Sequence, residues 1–173
     1  EDILPKEAGI WQELERIARG HLEAWGFREI RTPILEETSV FIRSIGETTD
    51  LVQKARCTFT DRGERSITMR PEGTAAIVRA FVEHNLDNTF PEANGKFYYM
   101  GPMFRAERPQ KGRLRQFHQI GAEIIGTNDP VDDSEIIIQM DKMLRAFGLN
   151  DFTVKINSLG CKIDKEKYAD ILR

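Results

Sequence analysis

The chain has 173 residues, with 25 Lys+Arg against 28 Asp+Glu, a formal net charge of −3, and 40% hydrophobic residues. This is an ordinary globular composition and excludes a protein that is basic throughout. The longest aliphatic run, Ile136-Ile137-Ile138, falls far short of the ~20 apolar residues of a membrane span. Two cysteines, Cys57 and Cys161, lie 104 positions apart without metal-ligand spacing, which excludes a disulfide framework and a zinc site. One domain, incomplete, in a reducing cytoplasm is the expectation, since no charged-then-apolar leader opens the chain.

Trp11, Leu14, Ala18, Leu22 and Trp25 recur at spacings of three and four, which predicts an amphipathic helix over residues 7–25, with Pro5 in its first turn and Gly26 at its stop. Phe27-Arg28-Glu29-Ile30-Arg31 alternates like a half-buried strand and ends before Pro33. Val52 to Phe59 and Ser66 to Met69, joined across Asp61-Arg62-Gly63, predict an antiparallel hairpin. After the polar loop Arg70-Pro71-Glu72-Gly73, Thr74 is placed to cap a helix over residues 75–86. Residues 85–96 read as a surface loop, and Lys96 to Phe104 and Arg115 to Ile125 as strands. Asp132-Asp133-Ser134-Glu135 supplies caps for a helix with Ile136, Met140, Met143, Leu144 and Phe147 on one side, stopped by Gly148. Phe152 to Ile156 alternates again, and a further helix is expected from Ile163 to Leu172. Hairpins interleaved with helices favour an α+β fold with a mainly antiparallel sheet flanked by helices. Neither GxGxxG nor GxxxxGK[ST] is present.

Arg105 to His118 holds five Lys/Arg and one Glu, a net +4 inside a chain of −3. If the flanking strands pair, the Arg105 guanidinium, the Phe117 ring and the Gln119 amide converge. An arginine fork suits phosphate, since it donates two parallel hydrogen bonds and stays charged. Phe117 offers a flat face for a base, and Glu107 could accept from an exocyclic amine or neutralise Arg108. Composition alone equally allows a solvated Arg/Glu loop. Gln119 and Glu123 share the strand face opposite Ile120, Ala122 and Ile124, where polar groups are commonly just wet. His21, His84 and His118 share no metal-ligand spacing, so no protein metal ligand is expected.

The stretch Gly101-Pro102-Met103-Phe104-Arg105-Ala106-Glu107-Arg108-Pro109-Gln110-Lys111-Gly112-Arg113, continued by Arg115-Gln116-Phe117-His118-Gln119-Ile120-Gly121-Ala122-Glu123, resembles motif 2 of the class II aminoacyl-tRNA synthetases, in detail that of the histidyl-tRNA synthetases. Gly26 to Leu35 is similar to their motif 1, and Met69-Arg70-Pro71-Glu72-Gly73-Thr74-Ala75 to their substrate loop. The resemblance implies a class II catalytic-core fold, motif 1 over about residues 6–45, motif 2 over about 96–126, and the start of an insertion at about 157–173. It further implies that Arg105 is catalytic and grips the ATP α-phosphate and the amino-acid carboxylate, that Phe117 stacks on adenine with Glu107 at its amino group, and that Arg113 reaches the γ-phosphate. Glu72, Thr74 and Gln119 would hold the α-amino group of histidine, and Glu123 its imidazole.

The implied reaction is histidine activation by ATP with Mg²⁺, then transfer to tRNA(His), in a homodimer formed through motif 1. Motif 3, the histidine-specific segment and the anticodon-binding domain have no counterpart here, so the piece is expected to be inactive alone. A histidyl-synthetase-like sensor or regulatory subunit is the rival; Glu107 beside Arg105, with Phe117, favours ATP use. A prolyl or threonyl enzyme is disfavoured by Gln119 with Glu123.

Overall fold

The structure is a computed structural model and describes residues 2–45, 56–106, 111–157 and Tyr168. Helix α1 (Pro5–Ala24) begins on proline and ends at Gly26, whose φ of +83° is the left-handed stop the sequence predicted. Ala18 and Leu22 are its buried positions. The chain then forms β1 (Arg28–Glu29), β2 (Leu35–Glu37) and α2 (Thr38–Ile45). The expected five-residue strand at 27–31 is only two residues long, Arg28 and Glu29, with Phe27 wholly buried beside α1 and the Ile30 N–H donating to the Tyr98 carbonyl as the segment leaves the ladder.

The predicted hairpin is present as β3 (Cys57–Thr60) and β4 (Ser66–Met69), in a register that puts Thr60 opposite Ser66. Its upstream part, from Val52, lies outside the described residues. Asp61 closes the turn by accepting from the N–H groups of Gly63 and Arg65. Helix α3 (Thr74–Glu83) follows, and the expected loop at 85–96 instead folds into α4 (Leu86–Thr89) and a 3₁₀ turn (Pro91–Ala93). Packing overrides loop-like composition there, since Ala93 is buried and Leu86 and Phe90 rest on the core.

The centre is a long hairpin of β5 (Lys96–Phe104) and β6 (Gln116–Ile124), paired antiparallel from Lys96 opposite Ile124 to Phe104 opposite Gln116. β1 joins β5 in parallel, giving the order β1-β5-β6; the other sheet has the order β2-β4-β3 and is antiparallel. The two faces of the hairpin divide the core. On one, Tyr98, Met100, Ile120, Ala122 and Ile124 pack with Leu22 and Phe27. On the other, Phe97, Tyr99 and Met103 pack with Ile77, Phe81 and Phe90.

Helix α5 (Pro130–Ala146) starts earlier than the acidic run predicted, with Asp129 as its cap accepting from the N–H of Val131. Its expected apolar side is only partly realised. Ile136 and Met143 face the core, Met140 is exposed, and Gln139 is buried with its backbone carbonyl 3.2 Å from His21 Nε2. Residues 152–157 form no ladder with any described strand, so the alternation at 152–156 is not a strand here. The expected helix over residues 163–172 and Cys161 lie outside the described residues, apart from Tyr168. Cys57 is a free thiol.

Candidate functional site

Strand alternation sets the site. Phe117, Gln119, Gly121 and Glu123 of β6 stand opposite Met103, Gly101, Tyr99 and Phe97 of β5 on a single face. Six strand positions, at roughly 3.3 Å each, separate Phe117 from Glu123, so this row runs for about 20 Å. The Pro71–Thr74 loop and the start of α3 lie against it.

At the Phe117 end, the Arg105 guanidinium carbon stands 4.7 Å from the centre of the phenyl ring. Arg105 follows the last residue of β5; its backbone N–H donates to the Arg115 carbonyl at 2.8 Å, and its Nε to the Pro71 carbonyl at 3.2 Å. Among the described residues its two terminal nitrogens make no hydrogen bond, and the side chain is exposed. The expected convergence of guanidinium and ring is therefore present. Arg113 is exposed and engaged in an interaction of its own, and Glu107 lies outside the described residues.

The other end is acidic. Thr74 does not cap α3 as expected. The Glu72 carboxylate takes that role, accepting from the N–H of Thr74 at 2.7 Å and of Ala75 at 3.1 Å, where anionic groups are favoured at a helix start. A carboxylate reaches the first-turn N–H groups as well as a hydroxyl does, and its charge adds to the bond. The Thr74 hydroxyl is thereby released to donate to Glu123 Oε1 at 2.6 Å. Burial, reinforced by the nearby Glu72 carboxylate and opposed by the Thr74 bond, holds the Glu123 carboxyl above its usual range.

Between the two ends sits Tyr99, which sequence reasoning missed. Its ring is wedged between Gly73 and Gly121, where a Cβ would come within 2.2 Å of ring atoms at either position. Its hydroxyl accepts from Gln119 Nε2 at 3.1 Å, and burial together with Glu123 and Glu72 pushes its pKa up to about 12. The signal was available in Gly121, a glycine inside a strand, which marks a close approach by another group. Arg70, also unforeseen, is 7% exposed and carries no ion pair among the described residues; desolvation lowers its pKa. It donates from Nε to the Pro102 carbonyl at 3.0 Å and from Nη1 to the Thr32 carbonyl at 2.9 Å, fixing the loop against the end of β5.

A flat ring under a guanidinium at one end and buried acceptors at the other suit a molecule that is anionic and aromatic on one side and cationic on the other. No group of three or more His, Cys, Asp or Glu side chains converges on a metal position among the described residues.

This fold is that of part of a class II aminoacyl-tRNA synthetase catalytic core. A family model described as Histidyl-tRNA synthetase matches residues 1–161, and the chain belongs to that family. The histidine–tRNA ligase of Pelobacter propionicus is 54% identical over 171 residues, 99% of this chain and 41% of that protein. The crystal structure of apo S. aureus histidyl-tRNA synthetase matches 99% of this chain and 39% of its own, at 37% identity and a TM-score of 0.80. A Bacillus halodurans structure described as an ATP phosphoribosyltransferase regulatory subunit/histidyl-tRNA synthetase matches 87% of this chain and 37% of its own, at 25% identity and a TM-score of 0.73. The chain thus spans about two fifths of the length of these relatives.

Proposed function

We propose that the chain is the motif 1 and motif 2 part of a histidine–tRNA ligase, with motif 1 over about residues 6–45, motif 2 over about 96–126 and an insertion beginning near residue 157. The whole enzyme activates histidine with ATP to histidyl-adenylate and transfers the acyl group to tRNA(His). The observation that carries this reading is the order of groups along one face of β6: ring and guanidinium, then a buried amide, then a half-buried carboxylate. Histidyl-adenylate presents adenine, phosphate, α-amine and imidazole in the same order.

In this reading Phe117 stacks on adenine, and the terminal nitrogens of Arg105 hold the α-phosphate while the histidine carboxylate attacks its phosphorus in line and pyrophosphate leaves from the opposite side. The charge that grows at phosphorus is met by a group already in place. Glu107 meets the adenine amine and Arg113 the γ-phosphate. Gln119 and Thr74 offer neutral acceptors to the α-ammonium while Glu72, both of whose oxygens already cap α3, supplies the negative field. Glu123 accepts from an imidazole N–H. Mg²⁺ would neutralise phosphate charge; the described residues give it no ligand set, so it would arrive on the ATP phosphates, as Mg²⁺ commonly does. A homodimer through motif 1 and a cytoplasmic location belong to the same reading, and no helix among the described residues is long and apolar enough to cross a membrane. A regulatory, non-catalytic role is the weaker reading, given 54% identity to a ligase against 25% to the chain described as a regulatory subunit.

The test is a chimaera of the P. propionicus ligase in which this chain replaces the matching two fifths. Histidine-dependent ATP–pyrophosphate exchange within about tenfold of the parent is expected. A folded chimaera without exchange refutes the proposal.

A further inference from the structure

The interior of the site holds one polar atom that its surroundings do not explain. Gln119 Oε1 is buried and has no hydrogen-bond partner among the described residues, although the nitrogen of the same amide is satisfied by Tyr99. A buried acceptor left in this state is costly, on the order of 1–3 kcal/mol, and asks for a donor from outside the chain. The amide could in principle be turned over, with its oxygen on the phenol and its nitrogen exposed to a ligand. The observed pairing puts the nitrogen on the phenol and leaves the oxygen without a partner among the described residues.

Glu123, while ionised, can only accept, and it takes the Thr74 hydroxyl hydrogen at 2.6 Å. Burial and the Glu123 and Glu72 charges favour the protonated phenol of Tyr99, while Thr74 and the Gly73 backbone favour its ionised form. The phenol oxygen accepts from the Gln119 amide nitrogen at 3.1 Å. The ring itself cannot shift to relax the arrangement, since Gly73 and Gly121 close on it from both sides.

We infer that Tyr99 is a positioning residue that locks the Gln119 amide with its carbonyl oxygen turned to the substrate, so that the site selects a ligand bearing an amine at that point. This rests on the proposed function, in which Gln119 meets the α-ammonium, and adds the residue that gives Gln119 its polarity. An analogue without the amine leaves Oε1 unsatisfied and gains nothing from the lock. Tyr99→Phe keeps the ring between the two glycines and removes only the hydroxyl, after which the amide can turn in either direction.

The experiment uses the full 173-residue chain, labelled with ¹⁵N, titrated with L-histidine and with imidazolepropionate, which differ only by the amine. The wild-type chain should prefer histidine by about 10–100-fold, the worth of one or two hydrogen bonds to a charged group. Tyr99→Phe should reduce that preference to below about fivefold by weakening histidine alone. In the same spectra the Gln119 side-chain amide should show slowed hydrogen exchange in the wild type and lose that protection in Tyr99→Phe, a signature read without any ligand. An undiminished preference for histidine in a folded Tyr99→Phe chain, or an unaltered Gln119 amide signal, overturns the role of Tyr99. No binding of histidine by the P. propionicus ligase chimaera that carries this chain overturns instead the substrate reading on which it rests.

Discussion

Tyr98 and Tyr99 are neighbours in β5, both buried, both with pKa values pushed up to about 12, and they do opposite things. Tyr98 points to the α1 face. Its hydroxyl donates to Glu23 Oε1 at 2.9 Å and accepts from Arg19 Nη1 at 3.1 Å, and Arg19 also pairs with Glu29. With Arg31 also on Glu29, that network sets two cations against two carboxylates, and it fastens α1 and β1 to the central hairpin. Tyr99 points to the other face, where two carboxylates and an amide with an orphaned oxygen surround it, and the Arg70 guanidinium within electrostatic reach makes no ion pair with these carboxylates among the described residues. Burial alone therefore does not separate structural from functional polar groups. What separates them is whether the hydrogen-bond account closes without help from a ligand.

The largest expected effect that would break this contrast concerns Arg105. In the ligase chimaera, Arg105→Ala should lower pyrophosphate exchange by about 10²–10³-fold, the usual cost of a charge-stabilising donor, with the melting temperature little changed. Near-normal exchange would move the guanidinium to the structural side of the comparison. Next, Gly121→Ala would push a methyl group into the Tyr99 ring, 2.2 Å from its nearest atom. It should cost about 1–3 kcal/mol in urea denaturation and weaken histidine binding together, because the ring and the amide lock move as one. Stability lost with binding intact would uncouple them.

Tyr98→Phe sharpens the comparison from the other side. Removing a hydroxyl that makes two hydrogen bonds should cost about 1–2 kcal/mol of stability and leave the preference for histidine over imidazolepropionate unaltered. The smallest effect is electrostatic. Because the Glu123 carboxyl is raised in the fold, its ionisation opposes folding. That penalty is absent below the unfolded value near 4.5 and grows as pH rises through the raised folded value. The melting temperature of Glu123→Gln should therefore exceed that of the wild-type chain by an amount that increases with pH above about 4.5 and then levels, reaching a few degrees at most. A difference that shrinks with rising pH would reverse the assigned direction.

Much of the scaffold was readable in the sequence because local signals agreed with tertiary demands. α1, the β3–β4 turn, β5 and β6 end within a few residues of where periodicity, proline and glycine put them. The misses occur where packing overruled composition, as at Phe90 and Ala93, or where alternation had no partner strand, as at 152–156. In the site, the meeting of Arg105 with Phe117 and of Thr74 with Glu123 joins residues 12 and 49 positions apart. Strand pairing predicts the first; only the folded loop reveals the second. Glu72 as the true helix cap, Tyr99 as the central wedge and Arg70 as a buried tie were hidden because each acts through backbone groups or glycines, which carry no side-chain pattern of their own.

Arg70 bears a wider consequence. Its backbone N–H donates to the Ile34 carbonyl, its own carbonyl accepts from the Phe104 N–H, and its guanidinium holds the Thr32 and Pro102 carbonyls. One residue thus rivets the lead-in to β2, the end of β4 and the tip of β5, beside the Pro71 carbonyl that seats Arg105. A tilt of the β2-β4-β3 sheet would be handed through this joint to Arg105 with little slack, so the two sheets should travel as a single lever.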